Sequence, residues 1–259
     1  AWELWNEFDI PVFFLGSAEE YARVLKASSL GVRGGNPKAA VLSGSVTFGE
    51  GLISFGGETW HDAEGVRMIE KVLENGGGEY FDVFNVHCYG PAEAVTGRIR
   101  LCRELLRRHG YDKPVWLTEF GSASTPVMKK SVDPSEREQA AWLVRAATLA
   151  LAEGVQRFFY FSLPDFTEQG TSFWGILEHG QGGWQPKPAF AALANMAHTL
   201  DGMTWYGRYE TSMSVEAHLF SNGRAGCMVL WSRGGQTLKP TLFFRKNQKN
   251  VMIRGLYGR

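Results

Sequence analysis

Apolar positions along this chain fall into two alternating rhythms. Short, near-continuous hydrophobic runs (AWELW, AAVLSGSV, FDVFNVHCYG, KPVWLTEFG and VQRFFYFSL) are each followed by a longer amphipathic stretch. In AEEYARVLKASSLG, residues Tyr21, Val24, Leu25 and Ser28 recur at helical spacing, as Val66, Ile69, Val72 and Leu73 do in HDAEGVRMIEKVLENGGG. RIRLCRELLRRHG, DPSEREQAAWLVRAATLALAEG and KPAFAALANMAHTL complete the series. Asp133, Pro134 and Glu136 supply start signals for the fourth helix, and the glycines of NGGG and HG supply stops. NGGGEY reads as a helix terminator and not as a phosphate loop, because no Lys-Ser/Thr follows.

Strand then helix, repeated from starts near residues 1, 39, 82, 114 and 155, predicts an α/β fold with a parallel sheet. Strands buried on both faces are expected to be continuous apolar runs, and these are. After Gly202 the rhythm changes. TWYGRY, VEAHLF, AGCMVLWS, KPTLFF and VMIRGLYG are short β-type runs divided by Asn-Gly, Gly-Gly and Lys/Asn-rich turns, FRKNQKN among them. The expected organisation is therefore an α/β domain over 1–202 and a small antiparallel β domain over 203–259.

Composition narrows the function classes. Lys+Arg and Asp+Glu are 27 each, so no bulk charge selects nucleic acid or an anionic membrane as partner. No apolar run is long enough to span a bilayer as a helix. Cys88, Cys102 and Cys227 have neither zinc-site nor disulfide-framework spacing, and the compartment is left open. His61-Asp62 and Glu178-His179 match no common metal spacing, so neither metal nor cofactor is expected.

In parallel α/β folds the working residues sit at the carboxyl ends of strands. Those ends read Asn6-Glu7, Ser43 to Thr47, His87-Cys88-Tyr89, Thr118-Glu119 and Phe161-Ser162. Glutamates at two strand ends suggest paired carboxylates, which act on acetals when one is protonated and the other ionised. Trp5 and Phe8 flank Glu7 and are placed to desolvate it. Trp174 and Trp184 stand in a long Gly-rich segment, TEQGTSFWGILEHGQGGWQPKP, read as a loop.

These motifs resemble the clan A retaining glycoside hydrolases, families 39 and 5 most of all, over residues 1 to about 200. WELWNEFD is similar to their fourth-strand motif, VHCYG to their sixth-strand His-x-Tyr, KPVWLTEFG to their seventh-strand motif and PKPAFAAL to the start of their last helix. The resemblance implies a partial (β/α)8 TIM barrel, about strands 4 to 8, and a retaining β-glycosidase acting on an oligo- or polysaccharide or other glycoside. It implies Glu7 as acid/base, Glu119 as nucleophile and Asn6 as a ligand of the sugar 2-hydroxyl. Tyr89 would donate to Glu119, and His87 would orient the acid/base side. Phe161 stands where the family places a Trp as the floor of the central subsite; Phe stacks but lacks the indole N–H. Trp174 is the further candidate for a sugar subsite.

If AWELW is the fourth strand, three strand–helix units of the barrel are expected upstream. Period-2 alternation would put Glu3, Trp5 and Glu7 on one face, the barrel interior. A carboxylate there needs a partner, and a basic residue from those upstream strands is the expected one. The alternative to an active hydrolase is a carbohydrate-binding relative or fragment that keeps the cleft without turnover.

Overall fold

The computed structural model describes residues 1–48, 63–124, 136–167, 171–180, 183–209, 214–234 and 251–258 of the protein. His61-Asp62, the Asp133-Pro134 start signal, the KPTLFF strand and FRKNQKN lie outside them. The chain forms two compact units, 1–122 with 153–161, and 123–152 with 162–259.

The first unit holds β1 (Trp2–Glu3), α1 (Ala18–Gly35), β2 (Val41–Leu42), α2 (Ala63–Glu74), β3 (Phe84–Cys88), α3 (Ala94–Arg108), β4 (Val115–Phe120) and β5 (Phe158–Tyr160). Its strands neighbour one another in chain order and all run parallel. β1 pairs with β2, a bridge joins Leu42 to Val83, and β3, β4 and β5 form one ladder. Each helix turns one apolar face inward. Ala18, Tyr21, Ala22, Leu25 and Ser29 of α1 are buried, behind a capping box in which Ser17 and Glu20 satisfy each other's backbone N–H. Ile69, Val72 and Leu73 of α2 are buried with Ile99 and Leu105 of α3 and Val86, Leu117 and Phe120 of the strands. Each such side chain contributes about 1.5–3 kcal/mol. Gly76, at φ 76°, ends α2 before a 3₁₀ turn over Gly77–Tyr80, as NGGG predicts.

Two irregularities shape the mouth of this unit. The first overturns the alternation expected for WELWNE. β1 ends at Glu3 because Trp5 (φ 103°) and Glu7 (φ 43°) adopt left-handed backbone, so residues 3, 5 and 7 do not line one strand face. Trp5 donates its indole N–H to the Phe13 carbonyl (3.0 Å), and Phe8 is buried flat against Tyr21 (3.8 Å between ring centres). The second is a bulge in β4. Val86 pairs with Leu117 but His87 pairs with Glu119, and Leu117 and Phe120 bracket a second slip against β5. The extra residue lets Leu117 and Phe120 both return to the core while Thr118 and Glu119 stay half-exposed.

The second unit holds α4 (Glu136–Ala152), β6 (Phe166–Thr167), β7 (Thr171–Ser172), β8 (Leu177–Gly180), β9 (Gly183–Pro186), α5 (Pro188–Leu200), β10 (Thr204–Arg208), β11 (Val215–Ser221) and β12 (Gly226–Ser232). The Gly-rich segment read as a loop is built instead from two short antiparallel ladders, β6–β7 and β8–β9. Glycine is read as a breaker, yet Gly180 and Gly183 both lie in strands and pair with each other. β10, β11 and β12 form an antiparallel sheet. VMIRGLYG, expected as a strand, is not one over 251–258; Asn195 on α5 donates its amide to the carbonyls of Gly255 (3.4 Å) and Leu256 (3.3 Å) instead. Among the described residues no helix is long and apolar enough to cross a membrane.

Candidate active site

The carboxyl ends of the first unit's strands bring four of the expected residues together around one buried imidazole. His87, at the end of β3, is 1% exposed. Its Nδ1 lies 2.8 Å from Glu7 Oε1 and 3.4 Å from Glu119 Oε2. Tyr89, two residues on, donates its hydroxyl to Glu119 Oε2. Glu7, His87 and Glu119 each present one donor atom, and these atoms lie within 4.8 Å of one another.

Each carboxylate is held differently. Glu7 stands on an irregular loop fixed by side chains: Ser45 Oγ accepts its backbone N–H (2.9 Å), and the Phe8 N–H goes to the Ser45 carbonyl (3.2 Å). Asp9 closes the same loop by accepting the N–H groups of Thr47 (3.1 Å) and Phe48 (2.7 Å). Tyr21 ties it from below, donating to the Leu4 carbonyl (2.9 Å) and accepting from Gly44 N–H (2.7 Å). Gly44 has to be glycine, because a Cβ there would collide with the Tyr21 hydroxyl and press on the Leu4 carbonyl at 3.0 Å. Glu119 instead sits on the β4 bulge, inside a continuous parallel ladder.

The ring of His87 is loaded with negative neighbours. Burial disfavours its charged form, but the nearby Glu3 carboxylate, the hydrogen bond to Glu7 and the charges of Glu119 and Glu7 outweigh that, and its pKa rises to about 9. At neutral pH both ring nitrogens therefore carry protons. Nδ1–H points to Glu7, and Nε2–H has the Thr118 hydroxyl at 3.1 Å and Glu3 Oε1 at 3.8 Å. The partner expected for Glu3 from upstream strands is thus His87, inside the described chain. Burial pushes the Glu119 carboxyl above the usual carboxylate range; the His87 charge and the Tyr89 hydroxyl pull it down, and the charges of Glu7 and Glu3 push it up. Burial also raises Asp9, against the backbone N–H groups it accepts.

The three clustered side chains are also a set that could offer ligands to a cation. In the structure the three are joined as a hydrogen-bonded charge network, and a cation would have to displace a proton of the ring to bind there.

The remaining expected residues are placed as follows. Asn6 is exposed, its Oδ1 at 3.5 Å from Ser45 Oγ. Phe161, just past β5, meets Tyr89 edge to face at 6.3 Å. Trp174 belongs to the second unit, where its carbonyl accepts from Gln139 (3.3 Å) on α4. In that unit Lys187 is 1% exposed in its side chain and is paired with Asp165 (2.7 Å). Trp5 and Phe8 pack elsewhere, and the Glu7 carboxylate faces His87.

Sequence reasoning missed Glu3 as a partner of His87 and missed Asn85 and Asp9 altogether, while Ser45, within the Ser43-to-Thr47 strand end, and Tyr21, in the first helical stripe, were named without the roles they have here. A signal existed for one of them. Asn85 and His87 are polar at period 2 in an otherwise apolar strand, a pattern that marks one functional face.

Comparison with known proteins gives this geometry a family. The model of the glycosyl hydrolase catalytic core matches residues 37–181, a span that holds His87, Tyr89, Glu119, Phe161 and Trp174. A family 51 α-L-arabinofuranosidase from Bifidobacterium longum, AbfB, aligns over 91% of this chain and 54% of its own at a TM-score of 0.65 and 13% identity. The α-L-arabinofuranosidase of Thermotoga maritima, solved with arabinose, aligns over 88% and 46% at 0.59 and 13%. A glucosidase from Croceicoccus marinus aligns over 85% and 47% at 0.56 and 17%. The chain thus spans about half the length of each of these structures, and the likeness is one of fold. A search of curated proteins finds no match. With the family model covering more than half of its 259 residues, the chain belongs to the glycosyl hydrolase catalytic core family.

Proposed function

We propose that this chain carries the catalytic centre of a retaining β-glycoside hydrolase, with Glu7 as acid/base and Glu119 as nucleophile. The observation that carries the reading is the approach of Glu7 and Glu119 to within 4.8 Å, at the carboxyl ends of parallel strands. Retaining enzymes hold their carboxyl groups about 5–5.5 Å apart, and inverting enzymes need about 6.5–9.5 Å to admit a water. Five parallel strands in chain order support the partial barrel, with the antiparallel β10–β12 sheet as the separate module over 203–259.

In the first step Glu7 gives its proton to the glycosidic oxygen, the aglycone leaves, and a Glu119 oxygen bonds to the anomeric carbon. In the second, Glu7 takes a proton from water, whose oxygen displaces Glu119 and completes hydrolysis. Burial and the charges of Glu7 and Glu3 work against an ionised Glu119, and the His87 charge and Tyr89 hydroxyl work for it. Tyr89 donates to Glu119 Oε2 and His87 to Glu7 Oε1, which leaves the second oxygen of Glu7 as the one facing no such donor. Asn6 is assigned to the sugar 2-hydroxyl and Phe161 to the floor of the central subsite.

The test is trapping. Incubation with 2-deoxy-2-fluoro glycosyl fluorides of β-D-gluco and α-L-arabinofuranosyl type should leave a covalent adduct on Glu119, located by peptide mass mapping. An adduct on another residue would remove Glu119 from this role. Binding of oligosaccharides with neither adduct nor turnover would favour the non-catalytic alternative.

A further inference from the structure

The imidazole of His87 has two edges, and the reading above uses only the one facing Glu7 and Glu119. The other edge is equally built. Nε2 faces the Thr118 hydroxyl at 3.1 Å, with Glu3 Oε1 at 3.8 Å. Thr118 is in turn clamped by Asn85. The Thr118 backbone N–H donates to Asn85 Oδ1 (3.2 Å), which fixes the amide's orientation and leaves Nδ2 to donate to the Thr118 hydroxyl (2.6 Å). Asn85 is itself pinned through its backbone N–H to Ser43 Oγ (2.9 Å).

The hydrogen-bond count shows what this clamp does. One Thr118 lone pair is taken by the Asn85 amide, which leaves one lone pair and one hydroxyl hydrogen. The free lone pair accepts Nε2–H of a charged ring; the hydrogen can serve the same nitrogen once the ring is neutral. Regular alternation would turn Thr118 and Glu119 to opposite faces of β4. The bulge lets both reach the same ring, Thr118 at one nitrogen and Glu119 near the other.

We propose that Thr118, clamped by Asn85, and Glu3 are positioning residues of the active site: they hold the far edge of His87 so that Nδ1–H stays aimed at Glu7. This deepens the hydrolase reading and rests on it for the role of Glu7. The titratable groups facing the ring are Glu3 from β1, Glu7 from the loop that follows and Glu119 from β4, with Tyr89 behind Glu119. Two of the three carboxylates lie on the Nδ1 side, so the Nε2 side depends on Glu3 and the neutral Thr118 hydroxyl.

The test reads the ring directly, by imidazole NMR of the full chain across pH, with the His87 signal assigned through His87→Gln. In the parent the midpoint should stand near 9. Glu3→Gln and Thr118→Val should each lower it by about one pH unit, the usual effect of losing a hydrogen bond to the charged form, and Thr118→Ser should restore it. With a glycoside of poor leaving group, whose cleavage needs the acid, the basic limb of kcat should move down in Glu3→Gln and Thr118→Val, with KM changed less than twofold. Folding is checked by circular dichroism; if Thr118→Val does not fold, Glu3→Gln and Thr118→Ser decide. A His87 midpoint that stays at the parent value in folded Glu3→Gln and Thr118→Val would overturn the proposal. A midpoint that moves as expected in a protein that neither turns over nor labels would support the anchoring of the ring and count against the hydrolase reading alone.

Discussion

The two glutamates of the site are placed by opposite means. Glu119 rides on β4, in the middle of a ladder whose backbone groups pair with β3 and β5 and whose alternate side chains are core. Glu7 follows a strand only two residues long and is held by Ser45, Asp9 and Tyr21, none of them its neighbour in a ladder. One position is set by regular secondary structure, the other by a few polar side chains. Regular ladders spread a perturbation over many bonds, whereas a loop held by single hydrogen bonds fails when one is lost. This difference suits the proposed chemistry: the nucleophile must be fixed to an atom's width, and the acid/base serves two steps from one place.

Substitutions sharpen the contrast, beginning with the largest effect. Glu119→Ala should abolish turnover on every substrate, while Glu7→Ala should cost on the order of 10²–10⁴-fold on poor leaving groups and little on activated aryl glycosides. Equal losses of Glu7→Ala across leaving groups in steady-state kinetics would remove Glu7 from the acid role. Next come two packing changes with different costs. Leu117→Ala, beneath Glu119, should lose about 2–5 kcal/mol in denaturant unfolding with the site geometry retained. Gly44→Ala, beneath Glu7, should lose about 1–3 kcal/mol and yet reduce activity more, because relief of the clash with Tyr21 displaces the loop. Should Gly44→Ala be as active as the parent, the loop is not the device that places Glu7.

The smallest expected effect is in pH. His87 titrates at about 9 in the folded protein, above its ordinary value of 6.5. Its contribution to stability is therefore complete below pH 6.5 and is lost as pH rises through about 9. Unfolding free energy measured between these limits should fall with rising pH, and His87→Gln should flatten that slope. An unchanged slope would mean that the ring is not the charge that the three carboxylates share.

Much of the framework was legible in the residues, and the reasons are physical. Burial on both faces writes itself as continuous apolar runs, so all five parallel strands fall where FDVFNVHCYG, KPVWLTEFG and their fellows predict. Asn6-Glu7, His87 and Thr118-Glu119 were visible as polar residues ending those runs. The local conformation of the mouth was not visible. Positive φ at Trp5 and Glu7 has no glycine or asparagine to announce it, because bonds from 40 residues away impose it. The β4 bulge leaves no mark on VWLTEF, which alternates acceptably in either register. Nor could spacing reveal that Glu3 finds its cation in His87, since the two are joined by the sheet and not by the chain. The ladders of β6–β9 were hidden by their glycines, which are read as breaks although two of them pair.

The left-handed backbone of Glu7, at φ 43°, carries a consequence for anyone who sets out to improve this protein. An L-residue with a side chain spends about 1–2 kcal/mol to stay in that conformation, and glycine spends almost none. Glu7→Gly would relieve that strain, but it would also leave the buried, charged His87 without its partner at 2.8 Å, a loss of about 3–5 kcal/mol for a buried pair. A thermal-shift screen at this position should therefore rank the parent above the glycine variant, since the carboxylate that burdens the backbone is also the one that steadies the ring.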